Sequence, residues 1–144
     1  MSFVRLIYAS RATVEFQPSS IQSILQAARK NNSQNYITGL LCFNQRGFLQ
    51  CLEGKRSEVN RTFQRILKDP RHENVEIISF QDSEKREFES WNMGYLQNNQ
   101  IMRDLLMRHT GSAEFLPLTL TPEDAFAILK DIRDMMGEIA AEEA

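Results

Sequence analysis

Cysteine and histidine are scarce in this sequence: Cys42, Cys51, His72 and His109 are the only four among 144 residues. Their spacing matches no familiar ligand set, so a structural metal cluster is excluded. Both cysteines lie inside apolar runs, "GLLCF" and "FLQCLEG", which reads as reduced, buried thiols and a cytoplasmic setting. Long hydrophobic runs are missing too; none approaches the ~20 residues a membrane span needs. The start, "MSFVRLIYAS", lacks the basic-then-apolar order of a signal peptide. Neither charge predominates: 17 Lys and Arg stand against 19 Asp and Glu. That leaves no basic stripe for nucleic acid. There is no internal repeat, no low-complexity segment and no long linker, so the chain reads as one globular core.

What is present is an alternation of strand and helix periods. "FVRLIYA" (3–9) sets Val4, Leu6 and Tyr8 against Phe3, Arg5 and Ile7, the pattern of a strand. Residues 10–17 are polar and read as irregular. Pro18 and the candidate caps Ser19 and Ser20 open a helix with Ile21, Ile24, Leu25 and Ala28 on one stripe. It ends at Asn31–Asn32, whose amides compete with the backbone. A hairpin follows, 36–43 and 48–53, joined by "NQRG", with Gly47 expected at positive φ and Gly54 ending the second strand. A second helix spans 56–68 with Val59, Phe63, Ile66 and Leu67 on its inner side, until Asp69–Pro70 breaks it. "VEIISF" (75–80) and "WNMGYLQ" (91–97) read as strands, and "QDSEKREFES" between them as a solvated loop.

This order predicts an α+β fold: a ferredoxin-like βαββαβ sheet with an added fifth strand and two helices on one face. Pairing about "NQRG" puts Tyr8, Leu41, Phe48, Gln50 and Leu52 beneath those helices. The opposite face takes Phe3, Ile7, Leu40, Leu49 and both cysteines, and is too apolar to stay wet. C-terminal helices supply its cover: one over 101–109, and one capped by Thr121 with Pro122 in its first position. The longer helix is striped by Ala125, Ile128, Leu129, Ile132 and Met136. These helices can pack on their own sheet, on a second subunit, or on both.

Several polar side chains then converge on one cleft. Gln50 sits mid-strand between large hydrophobes, where an unpartnered amide costs roughly 1–3 kcal/mol. Tyr8 lies beside it, Asn31 and Asn32 close the first helix, and Arg65 and Asp69 lie along the end of the second. Amides offer donors and acceptors together, which suits a flat heterocycle with an imide-like edge. Ile24, Ile66 and Phe63 could sandwich its apolar body. Each residue also has a bland reading: Tyr8 as core, the asparagines as a helix terminus, Arg65 and Asp69 as an exposed pair, Met93 as filler, Trp91 as an edge cap, His72 as surface. Gln50 is the one that resists it.

Five segments, in order and at matching spacing, carry a family resemblance: "RLIYAS", "NN…ITGLLCF", "FLQCLEG", "RILKDPRH" and "FESWNMGY". The chain resembles the BLUF domain, a blue-light sensor using flavin, over about residues 3–97. Its C-terminal helices resemble those of short stand-alone bacterial members. Ala28 departs from the pattern, since some relatives carry a small hydroxyl residue there. The resemblance implies a flavin-binding domain at 1–97 and a helical extension at 98–144 for output or oligomer contacts. It implies a non-covalent flavin, FAD or FMN, with Asn31 and Asn32 on its pyrimidine edge and Ile24 and Ile66 against its ring. Arg65, Asp69, Arg71 and His72 would lie near its edge, ribityl chain or phosphate.

Tyr8 and Gln50 are the implied photoactive pair. Tyr8 yields an electron to the excited flavin, its proton follows through Gln50, and recombination leaves the glutamine rotated or tautomerised with a slightly red-shifted spectrum. Trp91 or Met93 would relay the change to the C-terminal helices. The implied partners are the flavin, further copies of the chain in a homo-oligomer, and a downstream signalling protein that the sequence does not identify. Nucleic acid, membrane and metal are not among them, and the implied protein is a sensor, not an enzyme. Two rivals compete. An acylphosphatase-like hydrolase would use Arg11 and an asparagine on a phosphate, but lacks a loop of clustered backbone donors and an activated base. A flavin oxidoreductase needs a second pocket for its substrate, and none is legible.

Overall fold

The computed structural model describes residues 3–89, 93–97 and 99–143. Trp91, an expected relay residue, lies outside them. In order, the elements are β1 (Phe3–Ala12), α1 (Ile21–Gln34), β2 (Thr38–Phe43), β3 (Gly47–Gly54), α2 (Arg56–Leu67), β4 (His72–Ser83), β5 (Gly94–Gln97), α3 (Gln100–Thr110) and α4 (Pro122–Glu143). The sheet order is β4-β1-β3-β2-β5. Its first four strands pair antiparallel in the ferredoxin-like arrangement, and β5 adds to the β2 edge in parallel.

Side-chain alternation sorts the sheet's two faces into two cores. Val4, Leu6, Tyr8, Leu41, Phe48 and Leu52 pack with Ile21 and Leu25 of α1 and Val59 and Phe63 of α2. On the other face Ile7, Leu40, Cys42, Leu49 and Cys51 pack with Met102, Leu105 and Leu106 of α3 and Ala125, Ile128, Leu129 and Ile132 of α4. The C-terminal helices thus cover their own sheet. Thr121 caps α4, its hydroxyl accepting from the Asp124 amide at 3.1 Å. Among the described residues no helix is long and apolar enough to cross a membrane.

Several local expectations are corrected. Of the stretch 10–17 expected to be irregular, 10–12 are strand: β1 continues to Ala12, because β4 starts at His72 and pairs with it to the end, and only 13–17 are irregular. α1 runs to Gln34, so Asn31 and Asn32 occupy its last turn and their side chains face inward from a helix. Ser20 makes no side-chain cap; a 3₁₀ turn over Pro18–Ser20 leaves its hydroxyl accepting from the Gln17 amide instead. Leu67 is 48% exposed, and Thr62, 5% exposed, belongs to the inner stripe of α2. Phe3 is only half-buried, beneath the Arg86 guanidinium.

Gly47 does not adopt positive φ. Asn44 builds the turn, its side-chain oxygen accepting from the amides of Arg46 (2.8 Å) and Gly47 (3.0 Å). Glycine is needed there for space: a Cβ would lie 2.6 Å from the Ser10 carbonyl oxygen and 3.1 Å from Pro117. The segment after β4 is not a plain solvated loop either. Phe88 is 1% exposed in the second core, and the Glu53 carboxylate accepts from the amides of Glu87 and Phe88.

Candidate functional site

Tyr8 and Gln50 are cross-strand partners in the β1–β3 register, and both face the cleft between α1 and α2. The Tyr8 hydroxyl donates to Gln50 Oε1, and Gln50 Nε2 donates to Met93 Sδ at 3.4 Å. All three residues are buried. Burial first, and the charge of Asp69 second, hold the phenol far above its ordinary pKa. Tyr8 is therefore a neutral donor at any physiological pH. The question posed by a mid-strand glutamine is answered in part: hydroxyl and thioether occupy one oxygen and one N–H, and the rest of the amide faces the cavity.

That cavity measures about 270 Å³. Tyr8, Leu41, Phe48, Gln50 and Leu52 form its floor. α1 contributes Ile24, Ala27, Ala28, Asn31 and Asn32; α2 contributes Thr62, Arg65 and Ile66; Asp69, Arg71 and His72 follow at its end. Ile24, Asn31, Asn32, Gln50, Arg65, Ile66, Asp69, Arg71 and His72 all lie on this one lining; Phe63, expected beside Ile24 and Ile66, does not, and packs in the core with its ring 5.4 Å from that of Tyr8. Met93 adjoins it through its sulfur. Arg11, the hydrolase candidate, does not line it; its guanidinium is exposed and bonds Glu73 at 2.9 Å.

The polar groups are held in place by one another. Asn31 Nδ2 reaches Asn32 Oδ1 (3.3 Å) and Thr62 Oγ1 (3.4 Å), and its own oxygen accepts from Asn35 (3.0 Å). This network ties the last turn of α1 to α2. Asp69 and Arg71 form a forked pair, with 2.9 Å and 2.6 Å contacts from Nε and an Nη. Hydrogen bonding from Arg71 holds the Asp69 carboxyl below its usual range against the opposing effect of burial. Sequence reasoning missed Thr62, whose signal was its spacing of three from Val59 and four from Ile66. It also missed Ser10, fully buried two residues beyond Tyr8 on the same face and bonded to His72.

The donor set suits a flavin. Aliphatic walls at Ile24 and Ile66 flank a slot, amides of Asn31, Asn32 and Gln50 present donors and acceptors together, and Arg65 and Arg71 offer positive charge.

Comparison with known proteins agrees. The family described as "BLUF: Sensors of blue-light using FAD" matches residues 3–94. The chain is 36% identical over 70 residues to the blue light- and temperature-regulated antirepressor BluF of Escherichia coli (strain K12), covering 49% of this chain and 17% of that protein. It is 33% identical over 85 residues to the photoactivated adenylate cyclase subunit beta of Euglena gracilis, 59% of this chain and 10% of that one. The chain therefore spans a minor part of these curated relatives. The solved structure of BlsA in its photo-activated state superposes with a TM-score of 0.83 at 32% identity, over 91% of this chain and 94% of that one. BlrB, a BLUF protein in its dark state, gives 0.76 at 28% identity, over 93% and 97%. A family match across the cavity-bearing sheet, extended by structural likeness over nine-tenths of the chain, identifies this protein as a member of the BLUF family, a sensor of blue light that uses a flavin.

Proposed function

We propose that the chain is a light-driven interaction switch in which Tyr8 and Gln50 are the photoactive pair. The observation that supports this most is the unbroken run from the Tyr8 hydroxyl through the Gln50 amide to the Met93 sulfur. When bound, the flavin supplies blue-light absorption and an excited state able to accept an electron. Tyr8 gives up an electron and a proton and regains both, and Gln50 carries the proton. An amide turned end for end presents Nε2 to the Tyr8 oxygen and withdraws its donor from Met93. The bond to the segment before β5 is thereby released, which favours Met93 as a relay; Trp91 is the alternative.

In this reading Asn31 and Asn32 hold the pyrimidine edge, Ile24 and Ile66 flank the ring, and Arg65, Asp69, Arg71 and His72 surround its far edge, ribityl chain or phosphate. FAD is the family's flavin, and the same ring contacts would serve FMN. Residues 1–97 form the light-sensing domain, and 98–144 the extension that changes its contacts with another copy or a downstream protein in the cytoplasm. The chain has no catalytic role of its own; the adenylate cyclase relatives match over only about a tenth of their length.

The test is spectroscopic. Protein loaded with FAD should be yellow and show a small red shift under blue light that reverses in darkness. Tyr8→Phe should bind FAD and lose that shift. A normal photocycle in Tyr8→Phe removes Tyr8 from the mechanism.

A further inference from the structure

We infer that His72 is a positioning residue of the flavin cleft, a strap between α2 and β1 that gives no hydrogen bond to the flavin. The inference rests on the reading that flavin occupies the cavity between α1 and α2. The imidazole lies in the cavity lining, edge-on to Tyr8 and Phe48 with ring centroids 6.2 and 6.0 Å away. Both ring nitrogens are engaged within the protein. Nε2 is 2.7 Å from the Ile66 carbonyl oxygen, and Nδ1 is 2.8 Å from Ser10 Oγ. A carbonyl only accepts, so Nε2 carries the hydrogen; in the neutral ring Nδ1 then accepts from the Ser10 hydroxyl. Two partners fix one tautomer and leave no N–H for a ligand.

The partners explain what the strap holds. Ile66 lies in the last turn of α2, where its carbonyl accepts from the Asp69 amide at 3.0 Å and takes the imidazole as a further donor, and its side chain is a cavity wall. Ser10 is fully buried on β1, two residues from Tyr8. One ring thus fixes the end of α2, with Ile66 and the adjoining Asp69–Arg71 pair, relative to the Tyr8–Gln50 floor. Ser10 does not line the cavity. An effect of Ser10→Ala on flavin affinity is therefore indirect, and its disappearance when His72 is already alanine separates a strap from a ligand.

The experiment measures FAD affinity of the full chain for wild type, Ser10→Ala, His72→Ala, His72→Gln and the S10A/H72A double variant. Histidine ¹⁵N spectra of the wild type, with and without FAD, accompany it; the chain has two histidines, so His109→Gln assigns the rings. His72→Ala should weaken binding ~10-fold and Ser10→Ala ~3-fold, the scale of one or two hydrogen bonds. The double variant should match His72→Ala alone, because the residues act as one unit. His72→Gln, whose amide N–H can still reach the Ile66 carbonyl, should recover most of the affinity. The spectra should show His72 as the Nε2–H tautomer in both states. An Nδ1–H tautomer in loaded protein, an unchanged affinity in Ser10→Ala, or additive losses in the double variant overturns the strap; the spectra need no variant of His72 to fold. A wild-type chain that takes up no FAD overturns the reading of the cavity, and the strap's role with it.

Discussion

Gln50 and Glu53 lie three residues apart on β3, both buried and polar, and they face opposite layers of the protein. Gln50 points into the cleft and bonds one hydroxyl and one thioether sulfur, a weak acceptor. Glu53 points toward α4. Its carboxylate accepts from Arg5 Nε at 3.0 Å, from the Glu87 amide at 2.9 Å and from the Phe88 amide at 2.7 Å. Its backbone carbonyl takes Arg86 at 3.0 Å, and Glu87 continues the run to Arg133 of α4 at 2.6 Å. The two sites solve the same problem, a polar group in a core, in opposite ways. Several charge-assisted bonds fix one arrangement of Glu53, whereas one of the two partners of Gln50 is a weak thioether acceptor, and the proposed mechanism gives its amide a second arrangement. Both grip the segment that leads from β4 into β5, Glu53 at 87–88 and Gln50 at Met93. In the proposed switch the first grip is permanent and the second exchangeable.

Breaking the permanent grip gives the largest effect. Glu53→Ala leaves Arg5 Nε, the part-buried Glu87 amide and the buried Phe88 amide without their acceptor, which should destabilise the fold by about 3–5 kcal/mol in urea or thermal unfolding. A loss below about 1 kcal/mol would mean that Glu53 is no more fixed than Gln50. Gln50→Leu should behave differently: near-native volume is retained and only neutral bonds are lost, with the Tyr8 hydroxyl the one strong donor left without its acceptor, so stability should fall by about 1–2 kcal/mol. FAD should still bind, and the light-induced shift should vanish. A Gln50→Leu variant as damaged as Glu53→Ala, or one with a normal shift, ends the contrast. Arg133→Gln removes a part-buried contact between α4 and Glu87 and should cost about 1 kcal/mol. Its signature is faster amide exchange at Glu87 and Phe88, with unchanged FAD affinity.

The cleft was far more legible in the sequence than the junction, and the reason is physical. Gln50 stands out because an amide among large hydrophobes breaks the strand pattern, and Tyr8, Asn31, Asn32 and Asp69 follow from spacing once the sheet is laid out. Glu53 gives no such signal. A charge beside Gly54 at a strand end reads as surface, and its donors are main-chain amides that no residue type announces. The loop after β4 was misread on the same ground, since its charges at Arg86 and Glu87 turn inward onto β3 and α4. Ser10 was hidden by a polar run, Ser10–Arg11, that continues the strand because β4 is long enough to pair with it. The family resemblance supplied the flavin; the alternation of residues supplied the floor on which it sits.

The smallest effect is read on both sides by acid. At the cleft, hydrogen bonding from Arg71 holds the Asp69 carboxyl below its ordinary value of 3.8. At the junction, burial pushes the Glu87 carboxyl up, but the Arg133 hydrogen bond with the charges of Lys85, Arg133 and Arg5 brings it below its ordinary 4.5. In each case the folded value lies under the unfolded one, so the unfolded chain binds more protons in between. The stabilisation is complete above the unfolded value and is lost as pH falls through the folded one. Both contributions should therefore be lost on acidification. Urea unfolding between roughly pH 6 and pH 3 reads this directly. Arg133→Gln and Arg71→Gln should each make the acid limb shallower, the first through Glu87 and the second through Asp69. An acid limb unchanged by either variant would mean that the pair concerned contributes nothing to stability, at the junction or at the cleft respectively.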